Sequence, residues 1–178
     1  IVFLHSHSDD HYQDQYLTPL LGKDSYDGAS MQIADPIKIN SRIKNWIKKS
    51  KINGKPWIVN MDEIGPHWKG VLPDSYDQKH DTIRSNALWG SLLAGAGGVE
   101  WYFGWKYPHA DLNCEDFRSR ELWWEQSTIA TEFMKQFPLE EMKSTNELIN
   151  TKDGFCLSKP NELFLIYTPK SFVDLKLK

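Results

Sequence analysis

Two adjacent carboxylates, Asp62 and Glu63, are the residues of this chain best placed to do chemistry. They follow a short apolar run and precede a Gly-Pro break in Lys55-Pro-Trp-Ile-Val-Asn-Met-Asp-Glu-Ile-Gly-Pro66. Trp57, Ile58 and Val59 have the aromatic and β-branched character of a strand covered on both faces, and Gly65 and Pro66 forbid its continuation. Both acids therefore stand at the carboxyl end of a strand. In parallel α/β architectures the loops leaving that end build the pocket, whereas a carboxylate buried elsewhere is costly. Neighbours on an extended strand point to opposite faces, so one acid is expected in the pocket and the other behind it. Glu63 has the longer side chain and stands two residues before Gly65, so it is expected to face the pocket with Asp62 in support.

A second constellation is His5-Ser-His-Ser-Asp-Asp-His11. A His-x-His pair at a strand end can chelate a metal. Such a site wants more ligands at later strand ends, whereas His67, His80 and His109 fall in loops or at a helix start. No metal and no cofactor is expected. His5 or His7 is expected instead to hydrogen-bond a substrate or to orient Glu63. Gln32, at the end of its own strand, reads either as a donor to a sugar hydroxyl or as a structural amide.

The elements that must position these groups alternate in type. Ile1 to His5 and Ala29 to Ile33 read as strands, separated by a loop-rich segment through Pro19, Gly22 and Gly28. Ile39, Ile43, Trp46 and Ile47 recur at helical spacing, with Asn40 and Ser41 as caps and Gly54 as the stop. The strand of Pro56 to Met61 follows, then a helix from Asp81 to Ala96, then a fourth strand in Gly98-Val-Glu-Trp-Tyr-Phe-Gly104. The longest helix runs from about Glu115 to Gln136, with Leu122, Trp123, Ile129, Phe133 and Phe137 as its apolar stripe. Strands separated by helices of this length imply βα units and a parallel sheet, an α/β fold. After Pro138 the strands Phe155-Cys-Leu, Leu163 to Tyr167 and Phe172 to Leu177 lie too close for intervening helices, so they are expected to pair antiparallel. Domains of 1–138 and 139–178 follow.

Composition narrows the partners. A net charge of -3 offers no basic footprint for nucleic acid, and no apolar run reaches the roughly 20 residues that span a membrane. Aromatic residues make up 13%, with eight tryptophans, a surplus that suits stacking on the flat faces of a carbohydrate. The 178 residues are too few for a complete α/β barrel, which needs about 250. The chain opens on Ile-Val-Phe-Leu with neither an initiator Met nor a signal peptide. It is expected to be part of a longer polypeptide or to associate with itself, because an open parallel sheet exposes edges. Cys114 and Cys156 permit at most one disulfide, and two buried thiols are the other reading.

Leu17-Thr-Pro-Leu-Leu-Gly22, Asp27-Gly-Ala-Ser-Met-Gln32, Gly54 to Pro66, Leu88-Trp-Gly90, Gly95-Ala-Gly-Gly-Val-Glu-Trp-Tyr-Phe-Gly104 and Cys114-Glu-Asp-Phe-Arg-Ser-Arg120 together resemble a bacterial family of glycoside-hydrolase-like proteins that carry a DUF5060 domain and a domain labelled collagen-binding. The resemblance covers essentially the whole chain. It implies the C-terminal half of a (β/α)8 TIM barrel, strands five to eight, followed by the first strands of a β-sandwich. It also implies secretion, to the medium or the periplasm, and hydrolysis of O-glycosyl bonds in a polysaccharide or oligosaccharide. On that reading Glu63, in a Glu-x-Gly context at the end of the seventh strand, is the nucleophile of a retaining enzyme, and the acid/base carboxylate lies on a fourth strand that this sequence does not include. Trp101, on the last strand, resembles the aromatic floor under the reacting sugar, which turns Glu100 toward the helices and a cation. Trp68, Trp105 and Tyr107 lie in loops leaving the same end and are candidates for glycan stacking. Arg118 and Arg120 read as carboxylate partners or as anionic-sugar readers. Two alternatives stay open: a non-catalytic carbohydrate-binding protein, and a metal-dependent amidohydrolase built on His5 and His7.

Overall fold

The computed structural model describes residues 1–113 and 116–170. It is a mixed α/β structure with helices and two small sheets. The first sheet is parallel, ordered β1 (Phe3–His5), β2 (Gly28–Ile33) and β3 (Ile58–Ile64). Helix α1 (Asp10–Leu17) joins the first two strands and α2 (Ile39–Ile52) the next two. Each strand alternates because one face is covered. Ala29, Met31 and Ile33 of β2 and Val59, Met61 and Ile64 of β3 are buried, while Ser30, Gln32 and Asn60 between them are half-buried on the other face. The expectation of a β3 start covered on both faces fails at Ile58, whose side is half exposed, because helices pack on one face only.

The helices are placed by that apolar face. Ile39, Ile43, Trp46 and Ser50 form the buried stripe of α2. Its start is a turn of 3-10 helix capped by Asp35, not by the expected Asn40, which is buried and donates to the Gly90 carbonyl at 2.8 Å. Gly54 ends the segment with a φ of +89°, a conformation that favours glycine. Helix α3 spans 81–92, with a wide π turn from Arg84–Trp89 between two short α segments. A 3-10 turn, Phe117–Arg120, leads into α4, Glu121–Met134. The stripe that α4 buries is Trp123, Ala130 and Met134, whereas Ile129 is 65% exposed, so the expected apolar stripe is rotated.

The fourth strand is reduced to one parallel bridge between Met61 and Val99. Met61 donates to the Gly98 carbonyl at 3.0 Å and Glu100 donates to the Met61 carbonyl at 2.8 Å, so the chain runs beside β3 there. Val99, Trp101 and Phe103 pack on the core, and the edge of Trp101 meets Trp123 at 4.8 Å.

The second sheet is antiparallel, β4 (Lys143–Ser144), β5 (Phe155–Lys159) and β6 (Leu163–Tyr167). Leu157 and Leu165 share a small core with Leu93 and Met134, and Tyr167 stacks on Trp89 at 5.3 Å. The strand expected over Phe172 to Leu177 and the thiol of Cys114 lie outside the described residues. Cys156 is a buried free thiol, and burial pushes its thiol up. Among the described residues no helix is long and apolar enough to cross a membrane.

Candidate functional site

The site exists because β3 breaks register at one residue. Pairing with β2 runs from Gly28 opposite Ile58 to Met31 opposite Met61, then resumes with Gln32 opposite Glu63. Asp62 is the extra residue of a β-bulge. The bulge cancels one step of the alternation, so Val59, Met61 and Ile64 all point into the core while Asp62 and Glu63 both stay on the opposite, partly exposed face. The expected split of the two acids between faces is thereby corrected: it assumed an unbroken strand.

His5 and Ser30 stand in register on β1 and β2, and Ser30 stands opposite Asn60 on β3. From the end of β1, His5 reaches across to both acids. Its Nδ1 lies 2.7 Å from Asp62 Oδ2, and its Nε2 lies 3.4 Å from Glu63 Oε2. Ser30 Oγ donates to the same Asp62 oxygen at 2.5 Å. His5 thus lies across both acids, hydrogen-bonded to Asp62 and within ion-pair distance of Glu63.

Glu100 completes the cluster. Its backbone bond to Met61 sets it beside Asp62, and the two carboxyls act on one another. Burial pushes Asp62 up, but the hydrogen bonds from Ser30, Glu100 and His5, with the nearby imidazole, hold its carboxyl below the usual range. The shared hydrogen bond and the charge of Asp62 push Glu100 the other way, above the usual range, helped by burial and opposed by His5. Two carboxyls whose environments drive them apart are an acid and an anion side by side. Tyr102 stands near Glu63, and its hydroxyl is raised by burial and by the charges of Glu63 and Asp111.

Two loops at this end of the sheet are tied into one rim. Val71 donates to the Tyr102 carbonyl at 2.8 Å, Lys106 to the Trp68 carbonyl at 3.2 Å, and the Tyr102 hydroxyl to the His67 carbonyl at 2.5 Å. The crossing is close enough to require glycine: a Cβ on Gly104 would lie 2.7 Å from the Lys69 carbonyl carbon, at a φ of +67°. Trp68 stacks on Tyr107 with Lys106 over its ring, Tyr76 meets the edge of Tyr107, and Trp105 is 53% exposed.

Of the residues singled out from sequence, Asp62, Glu63 and His5 converge, and Gln32 lies half-buried opposite Glu63 with its backbone N–H donating to Ser6 Oγ at 2.9 Å. Trp68 and Trp105 lie on the rim. His7 turns away: its Nδ1 accepts from the Asp9 backbone at 3.0 Å and its ring meets Tyr12, so it does not join His5 as a chelating pair. Trp101 and Glu100 exchange the faces expected of them, because Val99, Trp101 and Phe103 form the apolar side of that segment. Arg118 is not part of the site. It pairs with Asp116 at 2.8 Å on the outer surface, beside Phe117 and Trp124. Arg120 is buried, donating to the Val71 and His109 carbonyls and lying over Phe103. Sequence reasoning missed Ser30 and Tyr102 and placed Glu100 on the wrong face. Period-two alternation from Gln32 back to Ser30, and from Trp101 to its neighbours, carried that signal.

Among the described residues no group of three or more His, Cys, Asp and Glu side chains is arranged to hold a metal ion. No family model, no curated protein and no solved structure matches the chain.

Proposed function

We propose that this chain carries the nucleophile of a glycoside hydrolase, with Glu63 attacking the sugar and Asp62 and His5 holding it in place. The observation that carries this reading is the bulge at Asp62, which sets two consecutive carboxylates on one open face with His5 across both. The roles divide by contacts. Asp62 Oδ2 already accepts from Ser30 and stands against His5 Nδ1, which suits an orienting anion. Glu63 meets the far nitrogen of that imidazole, which suits a carboxylate whose charge state changes during a reaction. The aromatic rim of Trp68, Tyr107 and Trp105 supports carbohydrate as the substrate class, since indole and phenol faces stack on sugar rings.

The parallel order β1-β2-β3, the bridge at Val99 and helices on a single face fit strands of a barrel seen from its lumen. On this proposal the polar face is covered in the working protein, by the rest of a longer polypeptide or by a second copy. Secretion rests on the family resemblance alone.

The test is hydrolysis of a panel of polysaccharides and aryl glycosides by the full chain and by Glu63→Gln. The substitution keeps size and removes charge, so turnover should fall on the order of a thousandfold, with the circular-dichroism spectrum unchanged. Near-normal turnover by Glu63→Gln sinks the proposal. Glycan binding without turnover in the unsubstituted protein points to a carbohydrate-binding module that uses the rim alone.

A further inference from the structure

We propose that Glu100 is the general acid and base of this site, donating to the leaving oxygen of the substrate a proton that it shares at rest with Asp62 on the neighbouring strand. The inference rests on the glycosidase reading of Glu63 and departs from the resemblance, which places the acid on a strand outside this sequence.

The geometry comes from the strand pairing. Glu100 N–H bonds the Met61 carbonyl and Val99 bridges Met61, so the Glu100 side chain leaves the same face as Asp62, one strand away. Val99 and Trp101 on either side of it turn into the core, which fixes that orientation. Glu100 thus stands beside Asp62 on the neighbouring segment, and Glu63, the next residue of β3, lies on the same face. Unlike Asp62, Glu100 is exposed to solvent and so to a substrate.

The charges around Glu100 select it as the proton holder. Asp62 from β3 and Asp111 from the following loop are acidic neighbours that disfavour a second anion, and His5 from β1 is the opposing imidazole. Asp62 has two other hydrogen-bonding partners, Ser30 and His5, and keeps its charge without the shared proton. Tyr102 and Glu63 complete the polar face.

The step balances with no further reagent except water. A Glu63 oxygen bonds the anomeric carbon as the bond from that carbon to the leaving oxygen breaks. The leaving oxygen takes the Glu100 proton and departs as an alcohol. Water then attacks the anomeric carbon and gives a proton to Glu100, and the bond to Glu63 breaks. Both residues return to their starting charge.

Two measurements on the full chain decide it. The first is a carbon-detected NMR titration of side-chain carboxyls, which does not depend on turnover. Glu100 should titrate above an ordinary glutamate and return toward the ordinary value in Asp62→Asn; a Glu100 that titrates normally, or that ignores Asp62→Asn, overturns the shared proton. The second compares Glu100→Gln on dinitrophenyl and on unactivated glycosides. Loss of the acid should slow the unactivated substrate by about a hundredfold or more while sparing the dinitrophenyl substrate, and should remove the alkaline limb of the kcat/KM profile. Equal losses on both substrates overturn the acid role and leave Glu63 as nucleophile intact, and Glu100→Asp separates them from misfolding by retaining part of the acid function. If the unsubstituted protein cleaves no glycoside, the acid role falls together with the proposed function, while the titration still decides the shared proton.

Discussion

The two faces of the parallel sheet follow different rules. The helix-covered face is built by alternation and volume: Ala29, Met31, Ile33, Val59, Met61 and Ile64 belong to one apolar core with Trp46 and Trp123. The open face is built by an interruption of that alternation, and its residues are held by hydrogen bonds that cross three strands, from His5 over Ser30 to Asp62. Redundant apolar contacts make the first face stable. The second is specific because one carboxylate, Asp62, is bonded from three sides. A site of this kind needs the covered face as its foundation, since the bulge stays in place only while Met61 and Ile64 are both anchored.

Substitutions that strike one face and spare the other sharpen the contrast. Trp123→Ala should cost about 3 to 5 kcal/mol of stability in urea denaturation, whereas Glu63→Gln should change it by less than about 0.5 kcal/mol. Comparable losses from both would erase the distinction. Ser30→Ala removes one hydrogen bond from the Asp62 anion and should cost about 1 kcal/mol at neutral pH. The sign follows from the lowered Asp62 carboxyl: its contribution is present above the ordinary aspartate value near 4 and disappears as pH falls through the depressed folded value. The deficit of Ser30→Ala should therefore shrink in acid, and a deficit independent of pH would mean that the hydroxyl does not act through Asp62.

Smaller effects are expected from stacking at the rim and from the pH dependence that Glu100 lends to stability. Trp105→Ala should raise KM severalfold with kcat unchanged, because stacking remote from the reacting bond binds substrate and transition state alike. A fall in kcat with KM unchanged would place Trp105 nearer the chemistry. Glu100 is raised, so its favourable protonation is complete below the ordinary glutamate value near 4.3 and is lost as pH rises through the folded value. Thermal melts across pH should show Glu100→Gln gaining stability relative to the parent protein as pH rises from the ordinary glutamate value through the folded one. A gap that stays constant would contradict the raised carboxyl.

Much of the covered face was legible in the sequence. The apolar run before Asp62, the helical recurrence of Ile39, Ile43 and Trp46, and the stop at Gly54 locate β3 and α2 from local pattern alone. The closely spaced strands after Pro138 likewise emerge as an antiparallel sheet. The open face was only half legible. Asp62, Glu63 and His5 were identifiable as strand-end residues, but the bulge leaves no mark in composition; it arises from pairing with β2, thirty residues away. Trp101 shows the opposite failure. Val99, Trp101 and Phe103 alternate with Glu100 and Tyr102, and that local pattern already turned Trp101 toward the core, against the pocket role suggested by resemblance. On α4 the tertiary neighbours decided: Trp123 must meet Trp101, which rotates Ile129 into solvent.

The assignment of Glu63 is tested most directly by trapping. Incubating the full chain with a panel of 2-deoxy-2-fluoro glycosyl fluorides stalls a retaining enzyme as its covalent glycosyl ester, and peptide mapping by mass spectrometry locates the ester. A stoichiometric label on Glu63, absent from Glu63→Gln, is the predicted result. A label on Asp62 or Glu100 would contradict the division of roles on the open face, and a failure of every sugar in the panel to label any carboxylate of a protein that turns over glycosides would contradict a covalent role for Glu63.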